Sequence, residues 1–265
     1  MGRSSFDFRV YDQPEILMFM FHPRPDHGRT PHGARQLSIP VEGDVFTGAR
    51  FFHADKKAPT ILLFHGNGEI AADYDDLGPL YCRMNINFMA VDYRGYGLSG
   101  GVPTVSSMMN DCHEILAYVR QYLADEGYSA SVIIMGRSLG AAPALELAAA
   151  NADTIAGLII ESGFAEMLPL LELMGIDTAG LGLKDDGFGN ESKISAYLGP
   201  TLVIHSEYDQ IIPLSQGERL FNASGSHSKS FLKIPGADHN TILMRGLKEY
   251  FAAVKELSLK VSAPH

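Results

Sequence analysis

The sequence predicts an α/β domain with a mostly parallel central sheet, helices on both faces, an antiparallel N-terminal edge and a small helical cap insertion. Three observations carry that expectation. Six short apolar runs recur at intervals filled by helix-like segments. Most of these runs are continuous rather than alternating, as strands buried on both faces are. Two alternating runs joined by a turn precede them. At 265 residues, with 46% apolar and 20% charged side chains, the chain suits one domain with a full hydrophobic core.

Taken in order, residues 1–34 read as an N-terminal arm, with Phe21 to Gly33 rich in Pro, His and Gly. Arg35 to Pro40 and Val45 to His53 alternate in polarity about Glu42-Gly43-Asp44 and form the antiparallel edge. The runs Ile61 to Phe64, Phe88 to Val91, Val132 to Met135, Leu158 to Ile160, Leu202 to His205 and Phe231 to Ile234 are the parallel strands. Right-handed crossovers then place helices on both faces. Residues 163–198 interrupt the pattern: Met167, Leu168, Leu171 and Met174 have helical spacing, and Thr178 to Asn190 carries four glycines, read as a mobile loop.

The net charge of -10, with no basic run, argues against nucleic acid as a partner. Cys82 and Cys112 make neither a C-x-x-C pair nor a disulfide framework, which fits a reducing cytoplasm. The longest early apolar run, Ile16 to Phe21, is too short to span a bilayer and lacks export-signal flanks. Met1-Gly2-Arg3-Ser4-Ser5-Phe6 fails as a myristoylation site because Phe6 occupies the required Ser/Thr position. Oligomeric state is not set by any of these features.

The strongest motif is Gly136-Arg137-Ser138-Leu139-Gly140, a G-x-S-x-G at the end of an apolar strand and the start of an Ala-rich segment. A tight strand-to-helix turn would project the Ser138 hydroxyl from the sheet edge, and the Leu139 amide could help bind an oxyanion. Pro143 is read as lying in the helix interior, where it removes a backbone hydrogen bond and bends the first turns slightly. Ile61 to Glu69 reads ILLFHGNGE, whose turn offers the Asn67 amide as the second oxyanion donor. His65 is read as holding that turn, and Glu69 as either facing solvent or lining the pocket mouth.

Asp209 begins the loop after the Leu202 strand, and His239 lies in the loop after the Phe231 strand. A weakly nucleophilic serine needs a neutral imidazole to take its proton, and a carboxylate to orient that imidazole. Ser138, Asp209 and His239 are therefore the candidate nucleophile, acid and base. Glu161 and Asp238 compete as the acid, and Asp209 is preferred.

Together these residues resemble the α/β-hydrolase superfamily, in its serine-aminopeptidase-like and monoacylglycerol-lipase-like branch, over about Leu37 to Phe251. FMAVDYRGYGLSGG at Phe88 to Gly101 looks like that branch's DYRGYGxSxG segment. The resemblance implies loop-organising roles for Asp92 and Arg94, and an approach to substrate for Tyr96. It also implies hydrolysis of a carboxylic ester or thioester of a small-molecule acyl substrate, with amide hydrolysis as a variant. No metal or organic cofactor is called for: His22, His27 and His32 lie in the arm without zinc-type spacing. Phe164, Met167, Leu168, Leu171 and Met174 are candidates for one wall of an acyl pocket, although core packing accounts for them equally well. Rival readings are a peptidase using Glu69 or Glu161 to bind a substrate ammonium, and a non-catalytic binding protein on the same fold.

Overall fold

The computed structural model describes residues 6–262. The first five residues of the arm, where the failed myristoylation pattern begins, lie outside the described residues.

The arm is more ordered than its composition suggests. A 3-10 turn over Phe8–Tyr11 leads into α1 (Pro14–Met20), which buries Ile16 and Met20. Then come β1 (Ala34–Glu42), β2 (Val45–Phe52), β3 (Thr60–Phe64), α2 (Gly78–Arg83), β4 (Asn87–Val91) and α3 (Val105–Asp125). The second half contains β5 (Val132–Arg137), α4 (Ala141–Ala150), β6 (Gly157–Glu161), α5 (Leu168–Leu173) and α6 (Asn190–Ala196). It closes with β7 (Thr201–Ser206), α7 (Leu214–Ala223), β8 (Lys229–Ile234) and α8 (Ile242–Ser262), which is broken at Gly246.

The eight strands form one sheet in the order β1-β2-β4-β3-β5-β6-β7-β8. The β1–β2 and β2–β4 pairs are antiparallel, and every later pair is parallel. The period of two in each strand feeds two separate cores. In β3, Leu62 and Phe64 join the core containing α3, α4, α5 and the arm, whereas Ile61 and Leu63 join the one under α2 and α8. Residues on β5 divide in the same way, Ile134 to the first core and Ile133 and Met135 to the second. Burial on both faces is thus the reason these strands read as continuous apolar runs.

Three local features depart from the sequence expectation. The alternation in β2 suggested one solvated face, but Thr47 to Phe52 are all buried, with Arg50 only 1% exposed. Asp26 from the arm, at 2.5 Å, and Asp75, at 3.4 Å, neutralise that cation. Pro143 falls in the first turn of α4, where backbone N–H groups have no intrahelical acceptor to lose, so it does not interrupt the helix interior. The Gly-rich stretch read as a mobile loop is anchored at its far end. Phe188 is fully buried against Phe8, Tyr11 and Phe164, while the Asp185 and Asp186 carbonyls accept from the Tyr11 hydroxyl. The Asp186 carboxylate also accepts from the amides of Met167 and Leu168, tying the loop to the start of α5.

Candidate active site

Each of the three residues singled out by the sequence lies just beyond the C-terminal end of a parallel strand, β5, β7 or β8, and the sheet order sets β7 and β8 side by side with only β6 between them and β5. Ser138 follows β5 directly, with φ at 52°, in the left-handed region that a non-glycine residue enters only where the fold enforces it. The enforcement comes from close packing. A Cβ on Gly136 would collide with the Gly140 carbonyl, and one on Gly140 would collide with the Phe64 carbonyl. Both motif glycines therefore let the elbow press against β3 and its own helix start.

The Ser138 hydroxyl lies 2.9 Å from His239 Nε2, and His239 Nδ1 lies 2.8 and 3.0 Å from the two Asp209 oxygens. Asp209 is held in turn. Its Oδ1 accepts from the amides of Ile211 and Ile212 at 3.1 and 2.8 Å, and Oδ2 accepts from the Ser206 hydroxyl at 2.9 Å. Burial works to raise this carboxyl, but the His239 contact, the Ile212 amide and the Ser206 hydroxyl hold it down at about 2. All three residues are buried. The chain hydroxyl–imidazole–carboxylate can pass a proton from serine to histidine while a fixed negative charge stabilises the imidazolium.

The competitors for the acid position point elsewhere. Glu161 faces Arg137 and Tyr250, with Oε2 accepting from the Tyr250 hydroxyl at 2.8 Å. Asp238 is exposed and accepts from Asn240 and Thr241 in its own turn. His65 is fully buried with Nδ1 2.8 Å from the Gly66 carbonyl, and its ring packs edge-on against Tyr93.

A family profile described as serine aminopeptidase, S33, matches residues 55–177. The protein bem46 of Schizosaccharomyces pombe is 29% identical over 186 residues, 69% of this chain and 62% of that protein. Human alpha/beta hydrolase domain-containing protein 17B is 32% identical over 203 residues, 74% of this chain and 65% of its own length. The chain belongs to the α/β-hydrolase superfamily. It spans less than two thirds of either of these curated relatives. An esterase of Pyrococcus furiosus has the same fold, with a TM-score of 0.74 at 16% identity, covering 92% of this chain and all of that one. Taken together, the matches support a hydrolase of the α/β type.

In this α/β-hydrolase superfamily member, a cavity of about 100 Å³ opens at Ser138. Asn67 and Leu139 line it, as do Phe164, Met167 and Leu171 from the expected wall. Sequence reading missed most of the rest: Phe19 and Met20 from the arm, Leu170, and Ile211 and Ile212 beside Asp209. Three expected pocket residues are not in the lining. Leu168 is half-buried and absent from the lining, to which the same turn of α5 contributes Leu170 and Leu171 instead. Tyr96 is fully buried, its hydroxyl donating to Asn67 Oδ1 at 2.9 Å and accepting from the His22 amide at 2.7 Å. Burial pushes that phenol up to about 12, so it acts as a neutral prop for the Asn67 loop. Glu69 turns to the opposite face of the sheet, paired with Arg137 and accepting from the Tyr74 hydroxyl at 2.8 Å.

The Asn67 side chain is saturated. Its Oδ1 accepts from the His22 amide and Tyr96, and its Nδ2 donates to the Phe19 carbonyl and contacts His22 Nδ1. His22 is thereby a clamp between arm and loop. Among the described residues, no group of three or more His, Cys, Asp or Glu side chains is arranged to hold a metal ion, and no helix is long and apolar enough to cross a membrane.

Proposed function

We propose that this chain is a serine hydrolase that cleaves carboxylic esters or thioesters with an apolar acyl group, through an acyl-enzyme on Ser138. The observation that carries the reading is the hydrogen-bonded series Ser138, His239, Asp209 opening onto a cavity whose other lining, apart from Asn67, is apolar. Attack by Ser138 on the carbonyl transfers its proton to His239 Nε2, and the Asp209 carboxylate stabilises the imidazolium that forms. The main-chain amides of Asn67 and Leu139 are the proposed donors to the developing oxyanion. Of the Asn67 donors, the main-chain N–H rather than the side-chain NH2 suits that role, since the side chain is fully engaged. His239 then protonates the leaving alcohol or thiol, and a water molecule deprotonated by the same imidazole releases the acid.

The apolar cavity favours esters over aminoacyl substrates. A peptidase that recognises an N-terminal ammonium needs a carboxylate in the pocket, whereas Glu69 and Glu161 are both committed to Arg137 on the other face of the sheet. The esterase of Pyrococcus furiosus lends the same direction to the reading. Fluorophosphonate labelling tests it: the wild type is expected to be labelled and Ser138→Ala is not. An unlabelled wild type would favour a binding protein without turnover.

A further inference from the structure

Arg137 occupies the variable position before the nucleophile and turns the opposite way from Ser138, as adjacent residues at a strand end must. Its guanidinium is 12% exposed and reaches three other strand ends at once. Nε donates to Glu161 Oε1 at 3.2 Å, at the end of β6, in register with Arg137 across the β5–β6 pair. Nη2 donates to the His239 carbonyl at 3.0 Å and lies 3.4 Å from Asn240 Oδ1. Nη1 pairs with Glu69, whose Oε2 accepts from the Gly66 amide at 2.8 Å. The guanidinium also packs on that loop directly, since a Cβ on Gly66 would stand 2.6 Å from Nη1.

We infer that Arg137 is a positioning residue for the reaction, a strut fixing the His239 loop against the Asn67 loop so that base and oxyanion donor meet one carbonyl together. The inference rests on the serine-hydrolase reading above. A buried ion pair serving stability alone can often be replaced by apolar groups without loss. This one instead donates to the main-chain carbonyl of His239 and reaches the Asn67 loop through the Glu69 carboxylate, which in turn holds the Gly66 amide. The fork geometry is what lysine lacks: a single ammonium on a flexible stem cannot hold Glu69, Glu161 and the His239 carbonyl in one plane. Both carboxylates are braced from behind, Glu69 by Tyr74 and Glu161 by Tyr250, which itself meets the Tyr81 hydroxyl at 3.2 Å. Beside the group lies a cavity of about 350 Å³, lined by Glu69, Arg137, Glu161 and His239 among others, through which a small cation can enter.

The test compares wild type, Arg137→Lys, Arg137→Ala and Ser138→Ala on p-nitrophenyl butyrate and with a fluorophosphonate, after thermal melting has shown which variants fold. A loop displaced by about 1 Å costs about 100-fold, so kcat is expected to fall by about that factor in Arg137→Lys while KM stays within about twofold. Guanidinium chloride is expected to raise the rate of Arg137→Ala and leave wild type and Arg137→Lys unchanged. A folded Arg137→Lys with kcat within about threefold of wild type overturns the role, and that variant decides the matter if Arg137→Ala does not fold. Wild type that reacts with the fluorophosphonate no faster than Ser138→Ala refutes the hydrolase reading itself. Equal reactivity of wild type and Arg137→Lys refutes only the strut.

Discussion

Replacing Asp209 by asparagine and Glu161 by glutamine separates the two carboxylates that the sequence left in competition. In Asp209→Asn the amide oxygen keeps the Oδ1 position, because the Ile211 and Ile212 amides donate there. The new NH2 then takes the Oδ2 position, 2.8 Å from His239 Nδ1, and donates to it. His239 is forced into the tautomer with its proton on Nε2, 2.9 Å from the Ser138 oxygen, where it can no longer accept. A wrong tautomer of this kind costs about 10⁴-fold in kcat, equivalent to about 5.5 kcal/mol of barrier. Glu161→Gln retains an oxygen for Arg137 Nε or the Tyr250 hydroxyl and leaves the imidazole untouched, so kcat is expected to stay within about tenfold of wild type. Steady-state hydrolysis of p-nitrophenyl butyrate by both folded variants is the assay. A larger loss in Glu161→Gln than in Asp209→Asn would refute the assignment of the orienting carboxylate.

Other consequences can be measured as readily. Each methylene buried in the apolar cavity contributes about 0.8 kcal/mol, so kcat/KM is expected to rise about fourfold per carbon from acetate to butyrate. With only about 100 Å³ available, dodecanoate should then be poorer, and a flat profile would contradict a shaped acyl pocket. Asp209 is held below its ordinary value of 3.8, down to about 2, so its stabilising contribution is complete above about pH 4 and lost as pH falls through about 2. The melting-temperature advantage of wild type over Asp209→Asn should shrink across that window, and a constant advantage would contradict the linkage. Phe188→Ala removes a fully buried ring from between Phe8, Tyr11 and Phe164 and is expected to cost about 3–5 kcal/mol in urea unfolding. A change under about 0.5 kcal/mol would mean that the loop end is not anchored.

Much of the frame was legible because two-sided burial leaves a plain mark: the runs at Ile61, Phe88 and Val132 are strands, each within about two residues of its expected ends. The close approach of backbones at Gly136 and Gly140 was legible for a similar reason, since only glycine satisfies it. Contacts between distant segments left no such mark. Nothing in the local pattern of β2 announces that Asp26 would neutralise Arg50, and an arm rich in Pro and Gly gives no sign that Phe19 and Met20 would roof the cavity at Ser138. Tyr96 looked available to substrate because its loop adjoins the site, whereas a hydrogen bond to Asn67 turned it inward. Helical spacing in α5 marked the buried face and could not say which of Leu168, Leu170 and Leu171 would meet the cavity. Arg137 was passed over as the free position of a motif, yet its side chain meets Glu161, Glu69 and the His239 carbonyl at three other strand ends.

The most direct measurement is the mass of the protein quenched in acid during turnover of an ester, followed by peptide mapping. The account predicts one acyl group, carried by the peptide containing Ser138 and missing from Ser138→Ala. Sustained hydrolysis by Ser138→Ala, or an acyl group mapped to any other residue, would contradict it.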